Sequence, residues 1–383
     1  MDVSDRIQRR RNGRTHAAVV VDWDALNPAY HTPDPAARVA SVESVLDAVD
    51  PAFEDELPQN LHIWGEAGTG KSAICTAIMS ALKSEFTQHP LRYTSTRTTR
   101  TSSDLQFVYV DGWRANTQFK LYHQILDALR TDRVPKRGIG TEDLRNGIAS
   151  ELNDKTGLVL AIDHVSMAGS LAMDELESFL SPLDAVRTIT IGRDSPEALE
   201  ITGPVEDIHL APYSTELVDV LALRASQGLS RTLEPPHLRR IAEWADGNAH
   251  DALAALYLAG VEADQSDASR IHYEHVSEGI EAVPRDGTSL SHLMALPETE
   301  QALLKDVIDT TRQETLEIEC MSHHIAEHSR LTDTTVKRLL YELAQDNVLQ
   351  RTAMRISSDL VGRRPSQVEP NFSVPLFEHV RDA

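Results

Sequence analysis

The stretch NLHIWGEAGTGKSAICTAIMSAL, Asn60–Leu82, decides how this chain is read. NLHIW reads as a short buried strand and SAICTAIMSAL as a helix. Between them GEAGTGKS matches G-x-x-x-x-G-K-[ST] in full, in the strand–loop–helix context that gives the motif meaning. The glycines let backbone N–H groups close around phosphates. Lys71 carries a positive charge to the β- and γ-phosphates, and Ser72 offers a hydroxyl to Mg²⁺. The helix N-terminus adds its partial positive charge. Gly65, Glu66, Ala67, Gly68, Thr69, Gly70, Lys71 and Ser72 are therefore the expected cradle of a nucleotide, ATP or ADP.

Outward from this loop, short apolar runs alternate with amphipathic stretches. FVYVD, GLVLAID, RTITI and EDIHL read as strands; TQFKLYHQILDALR and MDELESFLSPL read as helices. This alternation predicts an α/β fold, a parallel sheet with helices on both faces. GLVLAID ends in Asp163, placed to hold Mg²⁺ through water with Ser72. The next residue is His164, where an anionic base would favour hydrolysis. An imidazole carries no fixed negative charge, so slow turnover is expected from these residues.

The chain has 383 residues, 41% of them apolar, and two cysteines, Cys75 and Cys320. The length predicts two or three domains, and the cysteines read as reduced thiols. No run approaches the ~18–20 apolar residues that span a bilayer, and no secretory signal precedes the first domain. These features predict a cytoplasmic protein with no membrane partner. The net charge of −22 argues against indiscriminate DNA binding. Its spread, with arginine favoured over lysine, resembles proteins of salt-loving archaea.

Four segments are expected: a basic arm over 1–15, a nucleotide-binding base over 16–212, an all-helical lid over 213–284 and a winged helix over 285–383. The polar segment His89–Asp104 reads as a surface loop. In the last segment, three helices precede an extended, arginine-bearing end. A helix-turn-helix presents the N-terminus of its last helix to the major groove. Thr332, Thr334, Thr335, Lys337 and Arg338 lie there, and Arg351, Arg355, Arg363 and Arg364 fall where the wing belongs. Hydroxyls and cations suit phosphates and base edges, so double-stranded DNA is the expected partner. HIAEH, His324–His328, matches H-x-x-E-H. With no third ligand apparent it reads as surface histidines. The four tryptophans do not cluster and read as packing residues.

The ordered set of motifs resembles the archaeal AAA+ replication initiators related to the eukaryotic origin recognition complex and its loader, cell division control protein. LNPAYHTPDPAARVASVESVLDAV is similar to that family's N-terminal segment, with Arg38 before the first helix. FVYVDGWRANTQFKLYHQIL resembles its second strand and the Asn116–Thr117 pair. IHLAPYSTELVDVLALRASQGL resembles the start of its lid, with Pro212, Tyr213 and Arg224, and DGNAHDALAALYLAG resembles its sensor 2 helix. The resemblance implies a nucleotide pocket touched by Arg38 and Tyr213, recognition of origin-like DNA, and sister initiators and the replicative helicase as partners. Three positions depart from the pattern. His164 replaces the acidic residue after Asp163. Arg193 or Asp194 stands where sensor 1 has asparagine. His250 stands where sensor 2 has arginine, which forks onto phosphate as imidazole does not. The expectation is a nucleotide-dependent DNA-binding switch with weak or absent hydrolysis. Three other readings stay open: a regulatory, non-initiating paralogue, an active motor with unconventional catalytic residues, and a nucleotide-gated interaction module.

Overall fold

A computed structural model describes residues 18–35, 37–54, 56–88, 104–152, 156–353 and 366–382. The basic arm, most of the His89–Asp104 loop, and Arg355, Arg363 and Arg364 lie outside the described residues. The chain divides into two units, one of residues 31–220 with 246–249, the other of the N-terminal residues to Tyr30 with 221–245 and 250–383. A short helix near the N-terminus, α1 (Trp23–Leu26), belongs to the second unit.

The α/β unit runs α2 (Val39–Val49), β1 (Asn60–Trp64), α3 (Lys71–Gln88), β2 (Asp104–Asp111), α4 (Gln118–Leu129), α5 (Thr141–Glu151), β3 (Thr156–Asp163), α6 (Met173–Leu180), β4 (Val186–Ile191) and β5 (Val205–His209). All five strands are parallel, in the order β2-β3-β4-β1-β5. β3 shows why the run GLVLAID is apolar throughout. Leu158, Leu160 and Ile162 pack with α4, α5 and α6 through Leu121, Ile125, Leu144, Ile148 and Leu176. Val159 and Ala161 pack on the other face with Val45, Ile74 and Ile78 of α2 and α3. A strand covered on both faces has no polar side to alternate with. The register pairs Asp111 with Asp163, so β2 and β3 end side by side. In open α/β sheets, ligands bind at such carboxyl ends.

α7 (Glu216–Gly228) leads into the helical unit, which continues through α8 (Pro235–Ala245), α9 (Ala249–Gln265) and α10 (Tyr273–Glu281). α9 is apolar nearly all round and correspondingly buried, from Ala252 to Val261 without a break. Then come α11 (Leu290–Ala295), α12 (Glu298–Gln313), α13 (Ile318–His328) and α14 (Asp333–Gln345). An antiparallel pair follows, β6 (Leu349–Ala353) with β7 (Ser366–Pro370), and a last helix α15 (Val374–Asp382). Leu304, Val307, Ile318, Met321, Ile325, Val336, Leu340, Val348, Val368 and Phe377 share one core. Three helices closed by a two-stranded hairpin are the layout of a winged helix. The short helices α11 and α15 were not legible as separate elements: α11 is one to two turns long, and α15 follows a hairpin whose connection gives no periodic signal.

Arg224 ties this unit to its own N-terminal segment. Its guanidinium donates to the carbonyl of Ala25, to Tyr30 O at 3.1 Å and to Asn27 O at 2.6 Å. Burial lowers its pKa to about 10. Three carbonyls at and beyond the C-terminus of α1 thus receive a fork of donors that a lysine could not supply. Among the described residues, no helix is long and apolar enough to cross a membrane.

Candidate functional site

The loop Gly65–Gly70 joins the end of β1 to the first turn of α3. Gly68 and Gly70 have φ of +69° and +91°. A Cβ on Gly68 would stand 1.8 Å from Asn248 Oδ1, and one on Gly70 2.6 Å from the Tyr213 hydroxyl. Only glycine fits this backbone. The N–H of Ala249 donates to Gly68 O at 3.0 Å, and that of Tyr213 to Gly247 O at 3.1 Å. Residues 246–249 therefore close the loop from the far side in sequence. Lys71, 9% exposed, lies inside the curl. Its Nζ donates to Gly65 O (2.7 Å), Glu66 O (2.6 Å) and Thr69 Oγ1 (3.1 Å). Burial lowers its pKa to about 8, with the Asp163 charge opposing and those of Arg193 and Arg38 assisting. Arg38 and Tyr213 form a wall beside Gly70. The guanidinium lies 3.8 Å over the Tyr213 ring and donates to Ala211 O at 2.6 Å. The structure thus gathers the loop, Arg38, Tyr213 and the charge of Arg193 in one place.

Asp163 is 1% exposed at the end of β3. Its Oδ2 accepts from the Tyr109 hydroxyl at 2.7 Å and its Oδ1 from the His164 N–H at 2.8 Å. Burial alone would raise its pKa, but the His164 charge and hydrogen bonds from Tyr109, Ser72 and the His164 amide hold it below the ordinary carboxylate value. Ser72 and Asp163 are thus hydrogen-bonded oxygen donors on facing elements, the donor chemistry that suits a hydrated Mg²⁺.

His164 occupies a left-handed turn, φ +59°. Its ring stacks on Trp113 with centroids 3.5 Å apart and planes 16° apart. Nδ1 lies 3.1 Å from Asp111 Oδ1, and Nε2 3.9 Å from Asp163 Oδ1. Burial disfavours the charged ring, but the two carboxylates outweigh it, and the pKa is raised above 6.5. Two anions and an indole face together shift the ring toward imidazolium, which leaves it less free to accept a proton from water. Tyr109, Asp111 and Trp113 were missed from the sequence. The visible trace was the carboxylate ending FVYVD, but only the β2–β3 register brings it beside Asp163.

Another histidine shapes the end of β4. Buried His62 bonds Thr190 Oγ1 through Nδ1 at 2.8 Å and meets the Asp194 carbonyl through Nε2 at 2.9 Å. It therefore anchors the turn that carries Arg193. His250 lies in the helical unit, on the first turn of α9. Its Nε2 accepts from the Leu290 N–H at 3.2 Å, and Nδ1 lies 3.3 Å from Asp251 Oδ1. The ring there joins α9 to the start of α11.

On the winged helix, Thr332 caps α14 by accepting from the Thr335 N–H at 3.3 Å. Thr334 and Arg338 are exposed and Thr335 and Lys337 half-buried. Lys337 pairs with Glu319 of α13, and Arg338 with Glu342 one turn on. Arg351 on β6 donates to Ser366 Oγ at 2.9 Å and lies 5.0 Å over the Tyr341 ring. The exposed face of α14 and the first wing strand thus carry hydroxyls and cations together, the cations of α14 being partly neutralised by neighbouring carboxylates.

Residues 35–191 match the family model of the AAA ATPase domain. The glycine loop, Asp163 and strands β1 to β4 lie within the matched residues. The chain is 23% identical over 285 residues to the ORC1-type DNA replication protein 1 of Sulfurisphaera tokodaii, covering 69% of this chain and 67% of the relative. Its fold matches the Aeropyrum pernix ORC1 protein solved in complex with DNA, with TM-score 0.62, 18% identity and coverage of 94% and 96%. It also matches the Aeropyrum pernix ORC2 protein solved in ADPNP–ADP complexes, with TM-score 0.54, 16% identity and coverage of 95% and 98%.

Proposed function

We propose that this protein binds ATP or ADP in the Gly65–Ser72 cradle and uses the nucleotide as a switch on double-stranded DNA binding, with little or no hydrolysis. The geometry of His164 carries the reading. The cradle is complete, with Lys71 inside the loop and Ser72 against Asp163. The residue after Asp163 is a ring fixed between two carboxylates and an indole. Ser72 and Asp163 would hold Mg²⁺, which supplies charge neutralisation on the phosphates when bound. Arg38 stacked on Tyr213 offers a flat, cationic wall beside Gly70, suited to the nucleoside. Arg193 adds positive charge near the loop. Asp163 would be committed to the metal, and the other groups bind and orient without supplying an anionic base.

The DNA-binding half rests on the exposed face of α14 and on Arg351, together with the resemblance to an initiator solved on DNA. Origin-like sites, sister initiators and the replicative helicase belong to the same proposal. The decisive measurement follows nucleotide retention and release of inorganic phosphate together, with duplex DNA present. Tight ATP binding with phosphate release near background is expected. Rapid release by wild type, unchanged in His164→Ala, would overturn the switch reading.

A further inference from the structure

The second helix of the winged-helix region carries a cluster that the nucleotide and DNA readings do not use. His324, Glu327 and His328 fall on consecutive turns of α13, and one ligand-capable atom of each lies within 4.8 Å of the others. The i, i+3, i+4 spacing places the three side chains on one helix face. The two imidazole centroids are 5.1 Å apart. The third ligand that the sequence did not reveal is Glu327, inside the motif itself.

A second observation concerns the orientation of the rings. His328 Nδ1 lies 2.9 Å from the His324 carbonyl oxygen. A carbonyl can only accept, so Nδ1 carries the proton and Nε2 keeps its lone pair. Metal-binding histidines are commonly fixed in this way, with one ring nitrogen donating to a carbonyl and the other left to the ion. Glu327 also meets His323, whose Nε2 lies 3.5 Å from its carboxylate. All three candidate ligands are exposed, so an ion reaches them without opening the fold.

We propose that His324, Glu327 and His328 form a binding site for one borderline divalent transition metal, of the class of Zn²⁺, Co²⁺ or Ni²⁺. Two imidazoles and a carboxylate suit these ions and not Mg²⁺ or Ca²⁺, which favour all-oxygen shells. Three protein ligands leave at least one coordination position open to water or to a donor from another molecule. The site lies on the surface and holds its ion reversibly. Acidification weakens it, because protons compete for both imidazoles. Cys320 shares the helix but lies one to two turns away, its thiol against Glu317 and its pKa raised by that hydrogen bond. It is not a member of the site.

The test uses the full chain, purified without metal affinity and stripped with chelator, then titrated with Co²⁺ and Zn²⁺ by calorimetry and visible absorption. One equivalent is expected at this site, with absorption bands of nitrogen and oxygen ligation and no thiolate charge transfer. His324→Ala with His328→Ala should weaken that equivalent at least ~10–100-fold, and Cys320→Ser should leave it unchanged. As a second readout, Zn²⁺ should protect His324 and His328 from acylation by diethyl pyrocarbonate, resolved by peptide mass spectrometry. Equal acylation with and without Zn²⁺, or an unchanged metal titration in the double variant, would overturn the proposal.

Discussion

His62 is buried and His164 half-buried in the α/β unit, and their surroundings drive them in opposite directions. His164 lies between Asp111 and Asp163, so its folded pKa is raised above 6.5. Its contribution to stability is full below that value and is lost as pH rises through the folded value. At His62 burial outweighs the bond to the Asp194 carbonyl and the charges of Asp207 and Asp194, and its pKa is lowered below 6.5. The unfolded chain therefore binds the extra proton first, and the His62 contribution is present above pH 6.5 and lost as pH falls toward the folded value. Replacing His62 with Gln should flatten the loss of thermal stability between neutral and mildly acidic pH, measured by melting at several pH values. General-base assistance is worth ~10²–10⁴-fold. His164→Glu restores an anion at that position, and phosphate release should rise by a modest part of that range, since His250 is still not an arginine. Adding His250→Arg should raise it further. Lys71→Ala should weaken ATP and ADP binding sharply, because the amine is the charge inside the loop; unchanged affinity in an equilibrium titration would remove the cradle from the reading.

The C-terminus of α1 is completed by Arg224, 199 residues from Ala25. Arg224→Ala removes the donor to the buried Ala25 carbonyl, at ~1–3 kcal/mol for an unsatisfied group. Thermal melting should fall accordingly, and Arg224→Lys should recover only part of it. On α14, Lys337 and Arg338 are held by Glu319 and Glu342. Exposed pairs of this kind contribute ~0–1 kcal/mol, so the cations can exchange carboxylate for phosphate at little cost. Glu319→Gln with Glu342→Gln should raise duplex affinity a few-fold in an anisotropy titration. Lys337→Ala with Arg338→Ala should lower it while nucleotide binding stays intact.

For the whole molecule the governing quantity is the net charge of −22. A chain this acidic repels DNA everywhere except where its cations are collected, so association should depend steeply on where α14 and the wing meet the duplex. Each phosphate contact adds about −0.9 to the slope of log affinity against log salt. Titrations across salt should give a linear fall, shallower by about one unit for each phosphate-contacting cation removed. A chain lacking residues 290–383 should lose duplex binding and keep nucleotide binding; retained DNA affinity would place the reader in the α/β unit or the lid.

The sequence by itself determined the elements whose signals are local. The loop motif, the doubly buried strands of the parallel sheet, the helical run after Tyr213 and the cap at Thr332 each rest on residues within a few positions of one another. Tertiary structure alone decided the surroundings of the reactive groups. Tyr109, Asp111 and Trp113 reach Asp163 and His164 from some fifty residues upstream because β2 and β3 pair in one register. Arg224 finds the N-terminal carbonyls, and His62 the turn of Arg193, through packing that no local pattern encodes. The raised pKa of His164 follows from two carboxylates brought together by that pairing. Residue type told that a base was replaced; only the fold told which charges surround its replacement.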